Sequence, residues 1–182
     1  MTKILENGAW SGKVKHNFDE SLYEAIISLL KKKQIKTLID VGCGDASYSK
    51  SIAKNGISCT ALDGNPDVEQ NSGAFAQQAD FSIPFFSIKH LFTDCVLCLE
   101  VGEHIPKERE QIFIENIKLF YPKLLILSWA IPGQGGVGHI NEQTNEYIKK
   151  KFSEYTFNEE ESSILRNEST LPWFKNTIMV FE

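Results

Sequence analysis

Four acidic residues, Asp40, Asp63, Asp80 and Glu100, fall where they could hold a nucleotide-like cofactor. Asp40 opens the run Asp40-Val41-Gly42-Cys43-Gly44-Asp45-Ala46, which reads as a strand end, a glycine-pinched turn and a helix start. Gly42 and Gly44 have no Cβ to block a ligand, and the helix that follows turns free N–H groups toward it. Asp40 would repel a pyrophosphate and suits a ligand end that carries an ammonium group. Asp63 ends the next strand, about 20 residues past the glycines, where a carboxylate can accept hydrogen bonds from both ribose hydroxyls. As a bare turn, the glycine pair is equally common without a ligand, and Asp63 also precedes the turn residues Gly64-Asn65-Pro66. NAD enzymes use an acid at this place too, so Asp63 does not separate the cofactors.

Two histidines are candidates for proton transfer, because imidazole titrates near neutral pH. His104 follows Glu103 at the end of an apolar run, and Glu103 either orients it or faces solvent. His139 belongs to the glycine-rich stretch Ile131 to Asn141, with four glycines in the six residues from Gly133 to Gly138. Such a stretch needs unusual backbone angles or close approach to a ligand. Together with Trp129, Gln134 and Asn141 it reads as an acceptor-binding loop over residues 131–142. The segment 1–18, with Trp10 and His16, is a candidate lid over the cofactor; the bland alternative is Trp10 as a core anchor.

The turn spells D-x-G-x-G-x-A and departs from the dinucleotide pattern G-x-G-x-x-G, which needs Gly or Ala where this chain has Ser47. It resembles the first motif of class I S-adenosylmethionine-dependent methyltransferases. The run Glu100-Val101-Gly102-Glu103-His104-Ile105-Pro106 closely resembles the fourth-strand motif of many small members of that family. The resemblance covers roughly Thr37 to Trp129 by motif and the remainder by strand and helix order. It implies S-adenosylmethionine as cofactor, S-adenosylhomocysteine as product and no metal requirement. It places Asp40, Gly42, Cys43 and Gly44 at the cofactor turn, Asp63 and Gly64 at the ribose, Asp80 at the adenine amino group with Phe81 on the ring, and Glu100 on the same rim. The implied activity is in-line methyl transfer to an oxygen or nitrogen, with His104 or His139 as base. Two alternatives remain: a non-catalytic cofactor-binding subunit, and an NAD-dependent oxidoreductase, which Ser47 and the Glu100–Pro106 motif disfavour.

These residues need a scaffold, and the hydrophobic pattern supplies one. A helix is expected over Glu20 to Lys33, capped by Asn17 or Asp19, with Leu22, Ile26, Ile27, Leu29 and Leu30 on its apolar face. Strands are expected at 37–41, 57–63, 74–81, 94–100 and 123–129. Helices are expected at 48–55, 107–120, 142–152 and 158–168. A sixth strand is placed at 154–157 and a closing strand at 176–181. The alternation gives an α/β, Rossmann-like sandwich, with a mostly parallel seven-stranded sheet, helices on both faces and an antiparallel last strand. The cofactor should lie over the carboxyl ends of the strands.

Composition sets further bounds. The 182 residues fit one domain of ordinary size, with 42% hydrophobic and 24% charged residues. A net charge of −5 and the lack of a long basic stripe argue against a nucleic-acid partner and toward a small-molecule acceptor. Lys31-Lys32-Lys33 reads as a helix end complementing the helix dipole. No apolar run approaches the ~20 residues of a membrane span, and the first residues lack a secretory apolar core, so a cytoplasmic location is expected. Cys95-x-x-Cys98 has a zinc-like spacing, but residues three apart on a strand face opposite sides. No second pair accompanies it, and buried free thiols are expected.

Overall fold

The computed structural model describes residues 3–14, 16–85 and 92–182. In chain order its elements are β1 (Lys3–Ile4), β2 (Trp10–Ser11), α1 (Glu20–Lys32), β3 (Thr37–Val41), α2 (Ser47–Ala53), β4 (Ser58–Asp63), α3 (Val68–Asn71), β5 (Ala76–Gln78), β6 (Cys95–Cys98), α4 (Glu110–Lys118), β7 (Leu124–Leu127), α5 (Asn145–Lys151), α6 (Glu159–Glu168), α7 (Phe174–Thr177) and β8 (Met179–Phe181). β1 and β2 pair as a small antiparallel hairpin. The other strands form one sheet in the order β5-β4-β3-β6-β7-β8, parallel except for the last pair. The order reverses between β3 and β6, which opens a crevice at their carboxyl ends.

Strand alternation divides the core into two layers. Leu38, Cys95, Leu97, Ile126 and Val180 face α1 and α6. Ile39, Val41, Val96, Cys98, Leu125 and Leu127 face the opposite layer, where Phe113 and Ile117 of α4 and Ile148 of α5 are buried. Cys95 and Cys98 thus lie on opposite faces as buried free thiols, as their spacing predicts. α1 buries Leu22, Ile26, Ile27, Leu29 and Leu30, and Asp19 caps it by accepting the Leu22 N–H. The 1% exposed Asp19 carboxylate also accepts from Ser169 Oγ and from the Thr170 and Leu171 amides. At the other end of α1, Lys32 pairs with Glu161 and Lys33 with Glu182, so this basic cluster is structural.

Among the described residues the main sheet has six strands rather than seven. The segment expected as a strand at 154–157 runs antiparallel beside β8 for too short a stretch to count as a strand: Phe157 bridges Phe181, Thr156 and Glu182 exchange backbone hydrogen bonds at 2.6 and 2.9 Å, and the Asn158 amide donates to the Val180 carbonyl at 2.8 Å. It stops there because Asn158 turns to cap α6, accepting the Glu161 N–H. The third parallel strand is short because Gly73 and Ala74 take positive φ just before it. The expected closing strand loses Asn176 and Thr177 to α7, where the Asn176 amide bonds back to the Trp173 carbonyl. α5 starts at Asn145, capped by Thr144, because Glu142 is engaged elsewhere. Among the described residues, no helix is long and apolar enough to cross a membrane.

Candidate active site

The glycine turn leaves β3 with Gly42 and Gly44 at φ 72° and 58°. The Gly42 and Cys43 amides donate to the Leu62 carbonyl at 2.8 and 3.1 Å, locking the turn to β4. A Cβ at Gly42 would lie 2.9 Å from Val101 Cγ1 and nearer still to Cγ2. The glycine is therefore required by backbone angle and by Val101, as well as by any ligand. Asp63 accepts the Gly44 N–H at 2.8 Å and the Asn65 N–H at 2.7 Å, one on each oxygen. Each oxygen keeps a lone pair for a further donor. Burial pushes the Asp63 carboxyl up, against the two amides that favour its charge. Asp40 lies deeper, 4% exposed, with Ser49 Oγ donating to it. Burial raises its pKa to about 7; the Ser49 bond opposes the shift and the Asp63 charge adds to it.

Asp80, beyond β5, accepts Nδ2 of Asn7 and the Ser82 amide, both at 2.8 Å. Burial raises its pKa, but the bonds from Ser82 and Asn7 and the Arg109 charge outweigh this and hold it below the ordinary value. Phe81 is 5% exposed and packs edge-on against Phe85 and Phe113. It belongs to the core and also lines the cavity.

The other half of the site is built where β6 ends. Glu100 has φ 54°, a left-handed conformation that costs a non-glycine residue energy and recurs at functional sites. Its carboxylate accepts from Gln134 Nε2 at 2.6 Å and Thr177 Oγ1 at 3.2 Å. Burial pushes it up while these bonds pull it down. The His104 ring packs edge-on against Trp10 at 5.6 Å and His139 at 5.0 Å. His104 Nδ1 lies 3.1 Å from the Gly138 carbonyl. A carbonyl only accepts, so Nδ1 carries the hydrogen and Nε2 is left as a lone pair. Burial lowers the His104 pKa to about 4, keeping the ring neutral. His139 Nδ1 lies 3.2 Å from Glu142, whose carboxylate also accepts the Gly133 and Gly135 amides.

Glu103 does not face solvent: it is fully buried. Its carboxylate lies 3.9 Å from His139 Nε2, and neither of its oxygens has a hydrogen-bond partner. The Glu103 and Ala130 backbone amides favour its charge. Burial and the Glu100 charge push its pKa well up.

A cavity of about 480 Å³ joins both halves. Its walls include each cofactor residue read from the sequence, Asp40, Gly42, Cys43, Gly44, Asp63, Gly64, Asp80, Phe81 and Glu100, and also Trp10, His16, His104, Gln134 and His139. Trp129 and Asn141 are not among them. Trp129 is fully buried beside Phe113, its Nε1 donating to the Asn141 carbonyl at 2.7 Å. Asn141 is buried and gives its side-chain amide to Glu110. Both are buried at the loop's base, outside the cavity wall. Asn7, Asn65 and Val101 line the cavity without having been singled out in sequence. The lid expected over 1–18 includes residues 1, 2 and 15, which lie outside the described residues.

The model of a methyltransferase-domain family matches residues 14–118, more than half of the chain. The chain belongs to the class I S-adenosylmethionine-dependent methyltransferases. Among curated relatives of this chain, a ubiquinone biosynthesis O-methyltransferase of Rickettsia typhi is 34% identical over 86 residues, covering 44% of this chain and 34% of that protein. The corresponding protein of Rickettsia canadensis is 31% identical over 104 residues, covering 54% and 43%. The chain thus spans less than half the length of these relatives. The solved small RNA methyltransferase HEN1 matches with a TM-score of 0.62 at 22% identity, over 94% of this chain and 26% of that one. Magnesium protoporphyrin IX methyltransferase of Synechocystis, solved with S-adenosylhomocysteine, matches with a TM-score of 0.63 at 15% identity, over 93% and 88%. At these identities the structures establish the fold. The family's cofactor is S-adenosylmethionine.

Proposed function

We propose that the protein transfers the methyl group of S-adenosylmethionine to an oxygen or nitrogen of a small-molecule acceptor, held beside His104, Gln134 and His139. The observation that carries this reading is the single cavity running from the glycine turn to both histidines. Its volume of about 480 Å³ suits small ligands. The chain's residues fit the cofactor. The turn at Gly42 and Gly44 leaves backbone open to the cavity, Asp63 keeps acceptor capacity for ribose hydroxyls, and buried Asp40 faces the end where an ammonium belongs.

Bound there, the cofactor supplies an electrophilic methyl group on a sulfonium. The chain supplies alignment and exclusion of water, together worth ~7–11 kcal/mol of barrier. Asp40 and Asp63 hold the two ends of the nucleoside and amino-acid moiety. Asn7 bonds to Asp80 and Trp10 packs on His104, two contacts that hold the β1–β2 hairpin against the cavity and support its reading as a lid. The loop 131–142 bounds the acceptor side, with Gln134 fixed on Glu100. His104 presents Nε2 as a lone pair that can accept a hydrogen bond from the acceptor, and His139, when Nδ1–H points at Glu142, presents Nε2 to accept a hydrogen bond or proton. On this reading residues 1–182 work as one domain.

The test is transfer of isotopically labelled methyl into fractionated extract, with Asp63→Ala as control. Wild-type-only label in the small-molecule fraction is expected. Wild-type-only label in RNA, protein or polysaccharide overturns the small acceptor, and no label in any fraction despite tight S-adenosylhomocysteine binding overturns the transferase reading.

A further inference from the structure

We propose that Glu103, His104 and His139 form a binding site for one divalent first-row transition-metal ion, which holds a hydroxyl group of the acceptor. The inference rests on the transferase reading above and names its acceptor class: a phenol or alcohol.

Three observations converge. One ligand atom from each of the three side chains lies within 4.8 Å of the other two, the span of a shared ion. Glu103 is fully buried with both carboxylate oxygens unpartnered, although it stands 3.9 Å from His139 Nε2. An unpaired buried carboxyl is costly in either protonation state, and a cation between the groups removes that cost. The imidazoles are also set up as ligands. His104 gives its Nδ1–H to the Gly138 carbonyl at 3.1 Å, and His139 directs Nδ1 to Glu142 at 3.2 Å. Both arrangements leave Nε2 to coordinate. A metal-bound histidine characteristically gives its other nitrogen's hydrogen to a carboxylate or carbonyl in this way.

Two histidines and one carboxylate give a donor set suited to manganese, iron, cobalt or zinc, with coordination positions left open. His104 and His139 line the cavity, while Glu103 stands behind them. The open positions therefore face the acceptor. A hydroxyl bound to the ion releases its proton to water. Its oxygen lone pair then forms the bond to the methyl carbon as the carbon–sulfur bond breaks, and the electrons of the broken bond stay on sulfur. In this arrangement the ion replaces a histidine base.

The sequence concealed the site. His139 lies thirty-odd residues beyond Glu103 and His104, and the loop joins them only by folding back, with the Ile140 and Asn141 amides on the Glu103 carbonyl at 2.9 Å.

The probe is Co²⁺ added to the chelator-treated full chain, followed by titration calorimetry and visible ligand-field absorption. One equivalent should bind, with absorption bands that mark nitrogen coordination. Glu103→Gln and His139→Ala should each weaken binding at least a hundredfold, and Glu142→Gln about 10–100-fold. Circular dichroism of each variant without metal establishes that it is folded; Glu142→Gln serves if the buried Glu103→Gln does not fold. Saturation of wild type with unchanged affinity in the folded variants overturns the site, as does no saturable binding up to about 1 mM. S-adenosylhomocysteine binding to the metal-free chain separates the two readings. Cofactor binding and methyl transfer without cation binding overturn this inference alone. Cation binding without methyl transfer in any extract overturns the transferase reading and with it the acceptor role.

Discussion

Replacing Gly42 with alanine should cost stability through two separable effects. Its φ of 72° places an alanine in the left-handed region, at about 1–2 kcal/mol. The new Cβ would also meet Val101, 2.9 Å from Cγ1 and closer to Cγ2. Val101 is β-branched and stiff at χ1, so it cannot swing away freely. Overpacking of this kind costs about 1–3 kcal/mol. Together Gly42→Ala should lose about 2–5 kcal/mol, and for a chain of this size Tm should fall by roughly 4–20 °C. The assay is thermal and denaturant unfolding of wild type, Gly42→Ala, Val101→Ala and the double variant. In the Val101→Ala background the two Cγ contacts are gone and the residue-101 Cβ remains 3.2 Å away, so Gly42→Ala should cost little beyond the backbone part of about 1–2 kcal/mol. Equal costs in both backgrounds, within about 0.5 kcal/mol, refute the Val101 contact. An unchanged Tm for Gly42→Ala refutes the turn conformation itself. Cofactor affinity should drop in both glycine variants, because relief at Val101 does not restore the turn angles.

Three further outcomes are expected. Asp63→Ala removes a charged acceptor worth about 1.5–3 kcal/mol per hydrogen bond, so S-adenosylhomocysteine affinity should fall at least roughly tenfold by calorimetry; an unchanged Kd would remove Asp63 from the ribose. Asp40, with its pKa raised to about 7, is largely protonated below that pH, and a ligand ammonium favours its charged form. Affinity for S-adenosylhomocysteine should therefore fall as pH drops below 7, by up to about tenfold per unit, and Asp40→Asn should flatten that slope; parallel slopes would contradict the assignment. Asp19→Ala removes the α1 cap and leaves the Thr170 and Leu171 amides unpaired, for a loss of about 2–4 kcal/mol in denaturant unfolding. The Asp19 pKa is lowered in the fold: burial opposes the shift, and hydrogen bonds from Ser169, Leu171, Leu22 and Thr170 outweigh it. Its stabilisation is present above the unfolded value and lost as pH falls through the folded one, so wild type and variant should converge in acid.

What the sequence revealed and what it hid follow the range of the interactions. The glycine turn and the acids at the ends of successive strands are local features, since each depends on a few residues around a strand end. They line one cavity because parallel strands bring all their carboxyl ends to one edge. Trp129 was misplaced although its position was readable. It continues the alternation of Leu125 and Leu127, which face the core layer of α4, and a side chain two residues on points the same way. The glycines that follow drew it into the loop. Asn141 was hidden for a different reason, because its partner Glu110 belongs to a distant helix. The pairing of Glu103 with His139 is non-local in the same sense. The seventh strand failed at Asn158, where one cap decided between an extended chain and α6.

The Asp19 carboxylate joins partners 150 to 152 residues apart in the chain. During synthesis α1 emerges with its buried acid held only by the Leu22 amide. At 5–20 residues per second, about 8–30 s pass before Ser169, Thr170 and Leu171 are made. For that interval the start of α1 must stay hydrated, so the layer between α1 and α6 closes late, after the parallel strands that carry the glycine turn have been synthesised.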